Sequence, residues 1–316
     1  MIHPREYGRI VLPVCLLFFY AVAANAEFLF NPKVDYEVPR DPSDVVIHDV
    51  TYDGIPDLIA AHATGHDSLT VFRGVGDGSF VRSYSSAIGG GNLGFLLGNF
   101  NSDPWLDLAL PSPASGHVGI ALGDSLGRFA ALTFEPLPSL GDLSTKGAMA
   151  LLNEDQHLDL VVPSGYTDPG YLYILLGNGD GTFQPYASVT TRRGPRAVAV
   201  DEFTGDGIAD VIVAANYCCD PGDDGAVAIH AGVGDGTFEA KVDIPSCVSP
   251  YNLAVGHING DAHLDVAALC ADGFVNVLTG VGNGSFMTEQ PLIIPDPGFG
   301  SLVLANLDQL GERTSR

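Results

Sequence analysis

Glu202-Phe-Thr-Gly-Asp206-Gly-Ile-Ala-Asp210 runs directly into the apolar stretch Val211-Ile-Val-Ala-Ala215, and the same nine-residue pattern occurs five times in the chain. Upstream lie Asp49-Val-Thr-Tyr-Asp53-Gly-Ile-Pro-Asp57, Asn99-Phe-Asn-Ser-Asp103-Pro-Trp-Leu-Asp107 and Leu151-Leu-Asn-Glu-Asp155-Gln-His-Leu-Asp159; downstream is His257-Ile-Asn-Gly-Asp261-Ala-His-Leu-Asp265. The spacing is 50 to 55 residues, and the fifth and ninth positions are Asp every time. A repeat of this period makes each unit one supersecondary element, so the fold is read from the unit.

A second marker keeps step with the first. Gly74-Val-Gly-Asp-Gly-Ser-Phe80 recurs from Gly123 to Phe129, Gly177 to Phe183, Gly232 to Phe238 and Gly280 to Phe286. Asp-Gly or Asn-Gly in a Gly-rich stretch supplies the positive φ of tight hairpin turns. The apolar runs between the markers, such as Leu172-Tyr-Ile-Leu-Leu176, are short, β-rich and bounded by Gly, Pro and Asp, which reads as strands. Each unit is then four strands: an inner one entering the acidic loop, a second leaving it, a third reaching the Gly-rich turn and a fourth returning to a connection. Four-stranded units closed radially shield their edges, which predicts an all-β propeller; a linear solenoid is the alternative.

The two coupled motifs resemble the FG-GAP repeats of integrin α-chain headpieces and the related VCBS repeats of secreted bacterial proteins. The family pattern is close to Asp-x-Asn-x-Asp-Gly-x-x-Asp, an apolar strand, then Gly-x-Gly-Asp-Gly-x-Phe, and it covers residues from about 41 to 308. The resemblance implies a β-propeller, commonly seven-bladed, with Ca2+ in the acidic loops; it implies no ligand. Here the units amount to an isolated outer strand in 27–40, five full repeats in 41–300 and a partial sixth in 301–316. Phe30-Asn-Pro32 stands before Asp49 as Phe183-Gln-Pro185 stands before Glu202, and Ser301–Asn306 looks like the inner strand of the sixth blade. A piece of a longer propeller or an irregular closure would account for this.

Ca2+ takes six to eight oxygens, which alternate positions of a compact loop can supply. In the first loop Asp49, Thr51, Asp53 and Asp57 offer side chains, Ile55 a carbonyl and Gly54 the bend. The fourth offers Glu202, Thr204, Asp206, Asp210 and the Ile208 carbonyl around Gly207. These two loops carry the strongest expectation of metal. Loop two has Asn99, Asn101, Asp103 and Asp107, but Pro104 replaces the glycine and cannot take positive φ, so its bend must differ. Loop five keeps Asn259, Asp261 and Asp265 behind His257, a poor Ca2+ ligand. In loop three, Leu151 and Gln156 replace key positions, and a polar turn held by side-chain-to-backbone hydrogen bonds is expected.

Arg5 and Arg9, the apolar stretch Ile10–Ala24 and Ala24-Asn-Ala26 form the pattern of a secretory signal peptide, residues 1–26, cleaved after Ala26. The stretch is short for a membrane anchor and broken by Pro13, and no later segment is apolar enough to span. The whole chain carries a net charge of −24, and the part after Ala26 has 12 basic against 37 acidic residues. That argues against nucleic acid and anionic lipid surfaces as partners. Four cysteines remain for an oxidising compartment. Cys247 is placed to pair with Cys218 or Cys219, with Cys270 near the same face; free thiols are the alternative.

No His-Glu-x-x-His, Gly-x-Ser-x-Gly or phosphate loop is present. The sequence therefore reads as a secreted binding or adhesion module for a carbohydrate or protein ligand, taken on the face of interblade connections and second-to-third-strand loops. The alternative is a carbohydrate-active enzyme, akin to a polysaccharide lyase, built from His62, His66, Tyr166, Asp168, Tyr217 and Arg192, Arg193 and Arg196. A third possibility is one end of a larger surface protein. His62 and His66, with Asp67, read as exposed loop residues, and the arginines as either an anion site or partners in salt bridges.

Overall fold

The structure is a computed structural model that describes residues 8–9, 34–38, 42–62, 68–87, 94–112, 115–138, 146–164, 168–215, 226–289, 291–294 and 300–305. Five four-stranded antiparallel blades form a propeller ring, and the described residues include no α-helix. Blade one is Pro42–His48, Asp57–His62, Ser68–Gly74 and Phe80–Ala87. Blade two is Leu96–Gly98, Asp107–Ser112, His117–Ala121 and Thr133–Pro136. Blade three is Ala148–Ala150, Asp159–Ser164, Gly170–Leu175 and Ala187–Thr191. Blade four is Pro195–Asp201, Asp210–Ala215, Ala226–His230 and Val242–Ile244. Blade five is Pro250–Gly256, Asp265–Cys270, Phe274–Gly280 and Phe286–Thr288, with Leu292–Ile293 added beside its third strand.

The second strands are buried along their whole length in blades two to five, because both faces lie against neighbouring blades. That explains their continuous apolar runs, which have no polar alternation. The core is divided among the seams. Leu108, Leu110 and Phe129 of blade two pack on Ile59, Leu69 and Val71 of blade one. At the next seam Phe183 of the Gly-rich turn meets Phe100, ring centroids 5.8 Å apart, and at the blade-four/five seam Phe286 meets Phe203 at 6.0 Å. In blades two to five the Phe ending the Gly-rich turn thus packs against the acidic loop of the blade before it, while Phe80 of blade one packs on Tyr36.

A backbone clasp runs alongside these rings. The last glycine of the turn donates to the second-position carbonyl of the preceding loop: Gly181 to Phe100 O (2.8 Å), Gly236 to Leu152 O (2.9 Å) and Gly284 to Phe203 O (2.8 Å).

Blade five's far face is covered by Leu302 and Leu304, and Leu302 N–H donates to Asn252 Oδ1 at 3.1 Å. A sixth inner strand would stand there. Residues 34–38 cover blade one: Val38 and Tyr36 pack with Ala60 and Phe72, the Tyr36 hydroxyl accepts Phe80 N–H at 3.0 Å, and Glu37–Val38 pairs with Gly8–Arg9. Phe30, Pro32 and Asn306 lie outside the described residues, as does the apolar stretch 10–26. Among the described residues no helix is long and apolar enough to cross a membrane.

Two expectations need correction. Cys247 is bonded to Cys270, 23 residues on, and not to Cys218 or Cys219, which lie outside the described residues. The bridge ties the connection between blades four and five to the end of blade five's second strand. His62 is not an exposed loop residue: it ends a strand, is buried, and its Nε2 lies 3.4 Å from Thr70 Oγ1.

Candidate functional site

All five acidic loops share one device, the side-chain-to-backbone bonding that the sequence suggested for loop three alone. The ninth-position Asp is fully buried in every blade. In loop four Asp210 Oδ2 accepts Phe203 N–H (2.8 Å) and Thr204 N–H (3.0 Å), while Oδ1 accepts Gly232 N–H (2.8 Å). Asp57 does the same for Val50, Thr51 and Gly74, and Asp265 for Ile258, Asn259 and Gly280. Asp107 joins Phe100 to Gly123, and Asp159 joins Leu152 to Gly177. One carboxylate thus fastens the acidic loop to the Gly-rich turn of its own blade. The first glycine of that turn allows the approach, since a Cβ on Gly232 would stand 2.2 Å from Ala209 O. Burial pushes the Asp107 and Asp159 carboxyls above the usual carboxylate range.

Beyond this clasp the loops divide. Loops one and four bend twice through left-handed backbone: Tyr52 (φ 58°) and Gly54 (82°), Gly205 (83°) and Gly207 (82°). Loop two bends only at Ser102 (65°), as Pro104 requires, loop five only at Gly260 (80°), and loop three only at Gln156 (65°).

The third residue divides them the same way. In loops two, three and five it is Asn, whose Nδ2 donates to the fifth-position carboxylate: Asn101 to Asp103 (2.8 Å), Asn153 to Asp155 (2.9 Å) and Asn259 to Asp261 (2.7 Å). These loops are closed on themselves. His257 also spends its Nδ1 on the seventh-position carbonyl of His263 (2.9 Å), and Asn99 Nδ2 donates to Asp103 O.

In loops one and four the third residue is Thr. Its methyl is turned to the next blade: Thr51 Cγ2 lies 3.2 Å from where a Cβ on Gly127 would stand, and Thr204 Cγ2 3.1 Å from that of Gly284. Thr51 Oγ1 and Thr204 Oγ1 are buried and meet no hydrogen-bond partner among the described residues. A buried hydroxyl without a partner is costly, so something polar is expected to meet it. The same loops carry carboxylates, Asp49 and Asp53 in loop one and Glu202 and Asp206 in loop four, which accept backbone N–H groups of their own loops. These two donor sets fit a hard cation; the amide-closed sets fit one less well. Among the described residues no three His, Cys, Asp or Glu side chains already converge on one point.

Loop one has a competitor that its sequence hid. Arg73, twenty residues on, holds Asp53 Oδ2 through Nε at 2.9 Å and keeps that carboxyl below the usual range. Among the described residues no such ion pair is seen at loop four.

On the opposite face Arg192 is paired with Asp243 of the next blade at 3.1 Å, the salt-bridge alternative for that one arginine. His66, Asp67, Tyr166 and Tyr217 lie outside the described residues.

A family model described as FG-GAP-like repeat matches residues 152–213 and 202–268. FG-GAP-like repeats over this span, within five blades around one axis, support an FG-GAP repeat β-propeller. No curated protein matches it. Among solved structures it is similar to BBS1N in its complex with ARL6DN, soaked with mercury: TM-score 0.53, 16% identity, 81% of this chain and 69% of that one. The exotype rhamnogalacturonan lyase YesX aligns with a TM-score of 0.47 at 14% identity, over 81% of this chain and 49% of that one.

Proposed function

We propose that the protein is a secreted, Ca2+-stabilised propeller serving as a binding module for a carbohydrate or protein ligand. The observation that carries the metal is the pair of buried hydroxyls of Thr51 and Thr204, without a hydrogen-bond partner among the described residues, each in a doubly bent loop that also carries carboxylates. Asp49, Thr51, Asp53 and the Ile55 carbonyl would hold one ion, and Glu202, Thr204, Asp206 and the Ile208 carbonyl another. The ion supplies charge neutralisation to loops that otherwise repel themselves. Secretion is supported by the signal-like pattern of residues 1–26 and by the Cys247–Cys270 bridge, a bond suited to oxidising compartments. The binding role is supported by the fold, since BBS1N, a similar structure, is seen in complex with ARL6DN. The loops expected to take the ligand include 63–67, 165–167 and 216–225, outside the described residues.

The test is thermal. An ion that binds the folded state alone at a hundred times its Kd stabilises by about 2.7 kcal/mol. Millimolar Ca2+ is expected to raise the melting temperature and chelator to lower it, with Asp53→Ala and Asp206→Ala each removing part of the gain. Melting curves that do not move with Ca2+ would sink the metal reading.

A further inference from the structure

On the metal-loop face, the fourth residue of loop one and the seventh residue of loop two meet across the first seam. Tyr52 meets Trp105 edge-to-face, centroids 4.8 Å apart, and the Tyr52 hydroxyl accepts Leu106 N–H. At the second seam the same positions carry Ser102 and His157. Ser102 Oγ donates to Gly179 O at 3.0 Å, and a groove of about 390 Å³ opens between loops two and three. Its size falls in the range of small-molecule sites.

The lining is chemically distinct from its surroundings. On a chain of net charge −24, none of the eight residues lining this groove is Asp, Glu, Lys or Arg. Leu151 stands where loops one and four place Asp49 and Glu202, and it is 49% exposed, an apolar side chain offered to solvent. Beside it come Leu158, the Gln156 amide and the His157 imidazole, with Asn99 at the edge, its amide engaged within loop two by Asp103 O and Ser102 N–H. Gln156 holds φ 65° at the position that Gly54 and Gly207 occupy in loops one and four. A non-glycine residue keeps that backbone only where its surroundings enforce it, and such positions gather at functional sites.

We infer that this groove is a binding site for a neutral saccharide. Leu151 and Leu158 match the C–H face of a pyranose ring, and amide and imidazole groups that donate and accept match vicinal hydroxyls. An anionic sugar is opposed by the field of the whole protein, and an inorganic cation finds no carboxylate in the lining. Loop three, the one least suited to metal, is thereby given a ligand of its own. The inference rests on the binding-module reading and adds to it a ligand class and a face, the one opposite the loops invoked above.

The full secreted chain in Ca2+ is applied to an array of neutral and uronate-bearing oligosaccharides. Neutral glycans are expected to be retained and uronate-bearing ones not. Leu151→Asp, which restores an acid at an exposed position, should weaken retention at least tenfold. The double variant Ser102→Tyr/His157→Trp, which transplants the packing of the first seam, should abolish it with the melting temperature kept. If the double variant does not melt cooperatively, Leu151→Asp decides alone. No retained neutral glycan overturns the inference. Retention untouched by these variants also overturns it, while leaving the binding-module reading standing.

Discussion

Loops one and four differ from loops two, three and five at the third residue, and the difference shows how one scaffold tolerates two kinds of loop. Where the residue is Asn, its amide donates to the neighbouring Asp and the loop satisfies itself. Where it is Thr, the methyl packs on the next blade and the hydroxyl is buried with no partner among the described residues. A self-satisfied loop gains little from an ion. The other keeps a polar debt that an ion can settle. The ninth Asp stands outside this division: it clasps its Gly-rich turn in all five blades, even where Leu151 or His257 has replaced the first ligand.

The largest test breaks the comparison if it fails. Removing the Asp210 carboxylate strands the N–H groups of Phe203, Thr204 and Gly232. Each buried unsatisfied group costs about 1–3 kcal/mol, so Asp210→Ala should lose roughly 3 kcal/mol or more in chelator. Asp159→Ala strands Leu152 and Gly177 N–H and should cost nearly as much, in a loop where no metal is expected. Denaturant melts of both variants, with and without Ca2+, check this. If Asp159→Ala proves mild and Asp210→Ala is harmful only in Ca2+, the ninth position is chiefly a ligand.

A second test sharpens the comparison by its sign. Thr204→Val keeps the methyl against Gly284 and removes the stranded hydroxyl. In chelator the variant should be more stable than wild type by about 1 kcal/mol, the cost of burying a hydroxyl unpaired. In Ca2+ it should be less stable, because one ligand is gone. Crossing melting curves are the expected result. A Thr204→Val protein destabilised equally under both conditions would mean that the hydroxyl has a partner already.

Much of this was legible in the sequence and the remainder had identifiable causes. Two motifs in register fixed the strand order and the blade, because turn chemistry and apolar runs are local properties. The bend forced by Pro104 was legible for the same reason, and it falls on Ser102. The tie between loop and turn was not read, although its signal was present: Asp159 and Gly177 persist in blade three, where Leu151 stands at the first loop position, and the pair is joined there as in the other blades. Non-local partners left no such trace. Nothing near Asp53 announces Arg73, and spacing could not choose Cys270 over Cys218 or Cys219 for Cys247, since four cysteines permit several pairings. His62 was placed in a loop because the strand it ends runs further than its apolar residues.

The smallest expected effect separates loop one from loop four. Arg73 binds Asp53 through an exposed pair, 59% and 25% accessible, so Arg73→Gln should lower the metal-free melting temperature only slightly. It should also strengthen Ca2+ binding at loop one several-fold, because the ion no longer competes with a guanidinium for Asp53 Oδ2. Calorimetric titration of an Asp206→Ala background, in which loop four is disabled, isolates that loop. Acid gives an independent reading. Asp53 is held below the ordinary Asp value of 3.8 chiefly by the hydrogen bond from Arg73. Its contribution to stability is therefore complete above 3.8 and is lost as pH falls through the lower folded value. Arg73→Gln should flatten the stability profile in that window and leave the profile above pH 5 unchanged. If Ca2+ affinity at loop one does not rise when Arg73 is removed, the guanidinium is no competitor, and loop one must be grouped with loop four as an open site.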